Sequence, residues 1–216
     1  MSSNFDLHLA SLNVEMHALQ DGFNIIKNSI ETLKEKEHRD FDKSIKSKEI
    51  LTDDELIDLH EDLYTKIEVL YPKVFWGPYL IGIFSFFESA ILELSEHIRA
   101  AKGCDLKMSD IRGDLLERTK KYYKKVLGIE YFSKCIYWET ITQLGLVRHI
   151  YAHENGRVGF SLKNNIETLV SRDLGVSHNM DILVVEERFV KACLDAVLNV
   201  IGDLKDIYLG LRINNE

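Results

Sequence analysis

The residues best able to do chemistry lie together in one short segment, from Arg148 to His153. Imidazole groups transfer protons near neutral pH, and a guanidinium group binds and neutralises phosphate. In a helix, His149 and His153 share one face, because each residue turns the helix by about 100°. Arg148 lies about 140° from His153 on that helix, and its long side chain can still reach the same cleft. The segment therefore indicates general acid-base chemistry beside a fixed positive charge.

Two other interpretations of this segment stay open at this point. Arg and His often occupy the last turn of a helix because they hydrogen-bond the free carbonyl groups there. Two imidazoles at positions i and i+4 can also chelate zinc, but the sequence shows no third ligand for His149 and His153. Since Cys104, Cys135 and Cys193 are scattered without C-x-x-C spacing, we expect reduced thiols and no bound metal or cofactor.

Several common catalytic motifs do not occur in the sequence. It contains no G-x-x-x-x-G-K-[ST], no G-x-G-x-x-G and no G-x-S-x-G, which argues against P-loop, Rossmann and α/β-hydrolase enzymes. The zinc-protease pattern H-E-x-x-H is missing too, because Ile150 follows His149. The Glu-x-x-His pairs of a di-iron bundle are likewise not found in facing helices.

The composition is that of a globular domain. Apolar residues make up 45% of the chain and charged residues 29%, which argues against a disordered protein. The formal net charge of -8 is unsuited to holding long nucleic acid, because such binding neutralises many phosphates with clustered Lys and Arg. We expect any contact with nucleic acid to be local and transient.

Neither a secretion signal nor a membrane span is predicted. The N-terminus has no basic region followed by an apolar run, so we expect a cytoplasmic protein. The most apolar stretch, from Trp76 to Leu94, is interrupted by Pro78, Glu88 and Glu93, which is poor for crossing a bilayer. We interpret it as a buried core helix and expect no membrane partner.

Residues Phe5 to about Glu37 predict one long amphipathic helix. Apolar residues recur there every three or four positions and form a single stripe. These residues are Leu9, Leu12, Met16, Leu19, Phe23, Ile26, Ile30 and Leu33. The charged run from Lys34 to Lys48 is interpreted as a solvated helix end and a loop.

Capping and proline signals divide the middle of the chain into further helices. Thr52 and Glu55 form a capping box that starts a second helix, and Pro72 is expected to end it. A third helix is predicted from near Pro78 to Ala101, followed by a terminating Gly103.

Three more helices are predicted in the rest of the chain. They cover Asp110 to Leu127 with Ser109 as the cap, about Ser133 to His153, and about Glu186 to Leu211. The run Lys120–Lys125 is the most basic in the chain, and Gly156 suits the left-handed residue that ends a helix. The β-prone pieces 158–160 and 182–185 are expected to pair as a hairpin. The predicted fold class is all-α, a bundle of five to six helices with a small β-hairpin after the motif helix.

The string RHIYAHENG, which starts at Arg148, resembles the R-x4-6-H motif of HEPN domains (higher eukaryote and prokaryote nucleotide-binding). It falls at the end of a long apolar helix, where that family places it. The stretch from Phe84 to Leu94 is also similar to the family's earlier core helix, in which an aromatic-Glu pair precedes an apolar stripe. His149 departs from the Asn or Asp that the family most often has.

The resemblance covers about Tyr79 to Leu209. It implies a HEPN-like helical domain over residues 76–216. Residues 1–75 lie outside the likeness, and we expect them to form an N-terminal helical extension packed on the core.

The resemblance implies a metal-independent endoribonuclease, in which an RNA 2'-hydroxyl attacks the adjacent phosphate and leaves a 2',3'-cyclic phosphate end. It implies that His153 moves protons and that Arg148 neutralises the phosphorane, with His149 as the third motif residue. Glu88 and Asn155 are expected as supporting residues, and Glu88 would brace Arg148 or His153 from the third helix.

The resemblance also implies partners. Many relatives act as toxins or in antiviral defence, so we expect RNA as a transient substrate and, for a toxin, an antitoxin protein. The family typically forms homodimers in which two motifs face one cleft, and this would give an acidic chain a locally cationic site. The alternative from another class is a non-catalytic HEPN-like module that binds nucleotide or a partner protein. A purely structural helical protein is the third hypothesis.

Overall fold

Helices dominate the chain. The computed structural model describes residues 2–47, 51–159 and 163–213, with side chains from residue 8 onward. In chain order its elements are α1 (Ser2–Ser47), α2 (Asp53–Tyr64), α3 (Tyr71–Ala101), α4 (Leu115–Lys125), α5 (Tyr131–Lys134), α6 (Trp138–His153), α7 (Lys163–Val170), β1 (Val176–Asn179), β2 (Ile182–Val185) and α8 (Glu187–Ile213). The prediction of an all-α fold with one small β-hairpin is confirmed.

Helix α1 follows its apolar stripe. Every residue of the predicted stripe is buried or half-buried, whereas Val14 and Ile25, which lie off the stripe, are exposed. The helix runs on to Ser47, so the charged run that begins at Lys34 is helical rather than a loop, and Lys48 lies outside the described residues. Alternating charges four apart, such as Glu35 with Arg39, suit an exposed helix and explain the difference.

The expected helix end at Pro72 is wrong. The capping box at Thr52 and Glu55 starts α2, but the helix then passes through a π-helical segment, Thr65–Leu70, and continues directly into α3. In that wider turn the Tyr71 N–H bonds the Lys66 carbonyl, five residues back. Pro72 therefore follows an existing irregularity and sits in the first turn of the next α-helical stretch, where a missing N–H does least harm.

Helix α3 is a core helix along most of its length. Its predicted inner residues have less than a tenth of their surface exposed, and they are Leu80, Ile83, Phe84, Phe87, Ile91 and Leu94. By length and composition alone, the helical run from Asp53 to Ala101 could cross a membrane, and half of its most apolar window is buried. The core helix of a soluble protein passes the same test.

Two boundaries around α4 and α6 also differ from the prediction. Asp114, not Ser109, caps α4, because its carboxylate accepts the Glu117 N–H at 2.9 Å. The helix predicted from Ser133 is divided, and α6 begins only at Trp138. Ile136 lies in the intervening loop and is 80% exposed, so it is not part of the helix's apolar face.

The predicted hairpin forms, but the strand that pairs with residues 182–185 is β1 and not the predicted piece 158–160. β2 pairs antiparallel with β1 through a two-residue turn in which Met180 has a φ of 54°. Val158 and Gly159 lie in no strand, although the Val158 N–H bonds the Asp181 carbonyl at 2.7 Å. Phe160 lies outside the described residues. The sequence of β1, Val-Ser-His-Asn, has too little β-prone character to be recognised alone.

The chain forms two compact units, each built from separate stretches. Unit 1 comprises Met1–Leu19, Gly82–Leu146 and Ala192–Glu216, and unit 2 comprises Gln20–Ile81 and Val147–Lys191. In unit 1, the Phe132 ring lies edge-on to Trp138 at 4.5 Å and to Tyr123 at 4.8 Å between ring centroids. In unit 2, Phe23 stacks on Trp76 at 5.3 Å. Unit 2 contains Arg148, His149 and His153.

Candidate functional site

The last two turns of α6 separate an apolar side from a polar side. Val147, Ile150 and Tyr151 are buried, with at most 8% of their surface exposed. Arg148 is half-buried, whereas His149 and His153 are exposed. The helical period places these two sets of side chains on different faces. The buried side therefore fixes the helix, and the other side presents Arg148, His149 and His153, called here the Arg-His cluster.

The side chains of the Arg-His cluster are in mutual contact. Arg148 Nη1 lies 3.5 Å from His153 Nε2, and the rings of His149 and His153 lie 4.7 Å apart between centroids with planes tilted by 47°. In the neutral tautomer with its proton on Nδ1, His153 Nε2 accepts a hydrogen bond from the guanidinium. The Arg148 side chain therefore reaches His153, although the two residues lie about 140° apart around the helix.

The turn after His153 is locked to the hairpin. Asn155 and Gly156 both have positive φ, 50° and 73°, which ends the helix. The Gly156 N–H bonds the Ile150 carbonyl at 3.0 Å, and the Gly156 carbonyl accepts the Leu183 N–H of β2 at 2.8 Å. A hydrogen bond on each side of Gly156 thus fixes the path of the chain just beyond the Arg-His cluster.

Tyr151 anchors the same end of α6 from inside unit 2. Its hydroxyl donates to the Leu183 carbonyl at 3.0 Å, and burial raises the pKa of the phenol. The ring passes close to two glycines, because a Cβ on Gly77 would lie 2.6 Å from Tyr151 Cδ1 and one on Gly156 would lie 3.1 Å from Cε1. A side chain at Gly77 would force this ring to move, and one at Gly156 would crowd it.

Lys73 is a cation near this site that the sequence did not reveal. Its Cε atom lies 3.3 Å from the position that a Cβ would take on Gly156. Lys73 is half-buried and forms no ion pair with any residue that the structure describes. Lys73 could not be predicted from the sequence, because only the tertiary fold brings α3 close to the turn after α6.

The two expected supporting residues occupy different places. Asn155 is exposed, and its contribution to the turn is its left-handed backbone conformation. Glu88 is half-buried and belongs to unit 1, whereas the Arg-His cluster belongs to unit 2. The bracing role of Glu88 stays a prediction.

The described residues include no group of three or more His, Cys, Asp or Glu side chains arranged to hold a metal ion. All three cysteines are free. Cys193 is buried, and this burial raises the pKa of its thiol, which favours the protonated form.

Comparison of the chain with protein-family models, with curated proteins and with solved structures finds no match. The likeness to HEPN domains therefore rests on the residues quoted above and stays a prediction.

Proposed function

We propose that this chain is a metal-independent endoribonuclease of HEPN type, with Arg148, His149 and His153 as its active-site residues. The observation that carries the proposal is the contact of the Arg148 guanidinium with His153 Nε2 on the exposed side of α6. A proton-transfer group and a permanent cation are thereby within reach of one phosphate.

The reaction needs one proton taken and one proton given. The RNA 2'-oxygen bonds to the adjacent phosphorus as its proton leaves to a base, and the 5'-oxygen of the next nucleotide departs with a proton from an acid. His153 Nε2 takes the first proton once the Arg148 guanidinium has turned from it to the phosphate, which frees the Nε2 lone pair. Arg148 balances the charge that accumulates on the five-coordinate phosphorane, because a guanidinium stays protonated throughout.

The surroundings of the Arg-His cluster suit this chemistry. The Tyr151 hydroxyl and the Gly156 backbone tie the end of α6 to β2, which limits how far His153 can move. Lys73 adds positive charge beside the same turn. The His149 ring lies tilted against the His153 ring and restricts its movement. An RNA strand can approach because both imidazoles are exposed.

A second copy of the chain completes the proposal. In a homodimer with two facing motifs, the partner's His153 supplies the acid while the first His153 acts as the base. The proposed setting is the cytoplasm, in toxin or antiviral defence activity, with an antitoxin protein as a further partner for a toxin.

RNA cleavage in excess chelator tests the proposal. Wild-type protein should leave 2',3'-cyclic phosphate ends, and His153→Ala and Arg148→Ala should each lower the rate by about 100-fold or more. Both variants should stay folded, since the loss of a charge at a helix end costs about 1 kcal/mol. His38→Ala removes another exposed histidine, on α1, and should cleave like the wild type.

A folded wild-type protein that cleaves no RNA, or two alanine variants that cleave at the wild-type rate, would refute this activity. The non-catalytic binding module would then replace it.

A further inference from the structure

Helix α4 carries a concentrated positive surface on an acidic chain. Five of the eight residues from Arg118 to Lys125 are basic. They are Arg118, Lys120, Lys121, Lys124 and Lys125, called here the α4 basic face. Their spacings of three and four place Arg118, Lys121 and Lys125 in one row and Lys120 and Lys124 in a second row. Such a dense group of basic residues contrasts with the formal net charge of -8 of the whole chain.

The inner side of α4 is buried inside unit 1. Thr119, Tyr122 and Tyr123 have no exposed surface. The Tyr122 hydroxyl donates to the Leu106 carbonyl at 2.9 Å, and Tyr123 accepts a hydrogen bond from Ser95 at 3.1 Å. The helix is therefore a fixed support, and its outward surface is almost entirely charged.

Few acidic groups neutralise the α4 basic face. Lys121 pairs with Glu117 at 2.7 Å, and Lys124 pairs with Glu130 at 3.4 Å. Among the described residues, Lys120 and Lys125 form no ion pair. Exposed pairs such as these two are weak and exchange readily with an arriving phosphate. The surface therefore keeps a strong attraction for anions.

A groove of about 300 Å³ adjoins the second row of lysines. It is lined by Lys120, Lys124, Ile129, Phe132 and Ser133. Lys120 Nζ lies 5.4 Å from the centroid of the Trp138 ring, so its ammonium group is held over an aromatic surface. Two ammonium groups and a hydroxyl at a partly apolar groove suit a phosphate with its attached sugar.

We propose that the α4 basic face and its groove bind the backbone of single-stranded RNA, through residues that are not part of the Arg-His cluster. This inference rests on the proposed ribonuclease function and assigns it a substrate-binding surface. An anionic membrane fits less well, because membrane-bound amphipathic helices insert their apolar face, and the apolar face of α4 is buried in the protein.

RNA binding by charge-neutralised variants tests the inference. The probe is a 2'-O-methyl oligoribonucleotide of about 20 nucleotides, which lacks the attacking hydroxyl and exceeds the roughly 4–16 nucleotides of a single-strand site. The test variant is Lys120→Gln/Lys124→Gln. The matched control is Lys36→Gln/Lys43→Gln on α1, which removes the same charge from exposed lysines, one of them ion-paired as Lys124 is.

The test variant should bind the probe about 10-fold more weakly at about 0.1 M salt, because two phosphate contacts are lost. The slope of log K against log salt should fall by about 1.4, or about 0.7 for each contact. Lys120→Arg/Lys124→Arg should bind like the wild type, and the thermal midpoints of all variants should agree.

Failure of the wild type to bind the probe, or equal weakening by the test and control variants, would overturn the inference. So would binding to phosphatidylserine vesicles through the same lysines without RNA binding. If the protein binds RNA through these lysines but never cleaves it, the proposed ribonuclease activity is refuted. The proposed RNA-binding surface on α4 is then retained.

Discussion

The ring of His149 stands where HEPN-type motifs most often carry Asn or Asp. Its contact is with the neighbouring His153 ring, at 4.7 Å between centroids. Arg148, by contrast, reaches the His153 nitrogen directly. At the scale of single residues, we therefore propose that His149 positions the His153 ring, whereas His153 transfers the proton.

His149→Asn should keep RNA cleavage within about 10-fold of the wild-type rate, well short of the roughly 100-fold or larger loss expected for a proton-transfer group. Asn retains a polar group beside His153, which is the contribution assigned to this position. Cleavage rates and metal content should be measured on the same preparation. A loss as large as that of His153→Ala, together with loss of a bound zinc ion, would favour the chelating pair instead.

Helix α3 makes one especially close approach to another element. Gly77 faces the Tyr151 ring, and Tyr151 in turn reaches the backbone of β2. Both residues belong to unit 2. At the scale of elements, the end of α6 depends on a glycine far away in the sequence, which leaves room for the Tyr151 ring.

Gly77→Ala should lower the free energy of unfolding by about 1–3 kcal/mol, because the new Cβ would overlap the Tyr151 ring and force it to move. Gly82→Ala is the matched control on the same helix, where nothing lies within 4 Å of the new Cβ. It should stabilise the protein by up to about 1 kcal/mol through better helix propensity. Urea denaturation measures both changes, and equal effects of the two substitutions would disprove the close contact.

The sequence predicted a helix correctly where the same physical cause produces both the residue pattern and the helix. The stripe from Leu9 to Leu33 predicted α1 because burial follows a 3.6-residue period. The helix end predicted at Pro72 was wrong because proline ends a helix only where the helix is regular. The π-helical turn before Pro72 has no sequence pattern that we recognise. The cluster at Arg148 and His153 was predictable because its members lie on one helix, whereas Lys73 comes from another.

Opposite charges are unevenly distributed over the whole molecule. The chain carries a formal net charge of -8, yet the Arg-His cluster and the α4 basic face are both cationic. In the proposed activity, repulsion by the acidic surface limits non-specific RNA binding, and the local cations allow RNA to bind at defined places. Binding should therefore be salt-sensitive and confined to short segments.

The shared-site hypothesis predicts that the protein is a homodimer in solution. Mixing the wild type with excess His153→Ala should lower cleavage per wild-type chain, because a mixed dimer has one intact His153 and lacks either the base or the acid. Light scattering measures the mass of each variant and of the mixture. A strict monomer, or unchanged cleavage per wild-type chain in the mixture, would contradict a site that two copies share.

The hydrogen bonds that join Gly156 and Tyr151 to Leu183 make the geometry of the Arg-His cluster dependent on a very small sheet. A two-stranded hairpin has little stability of its own, so its local opening free energy is set by the packing of Leu183 and Val185. Each opening releases the end of α6 even while the helices stay intact. Heating should therefore abolish the proposed ribonuclease activity below the melting temperature of the protein, and deuterium uptake at the Leu183 amide should track that loss.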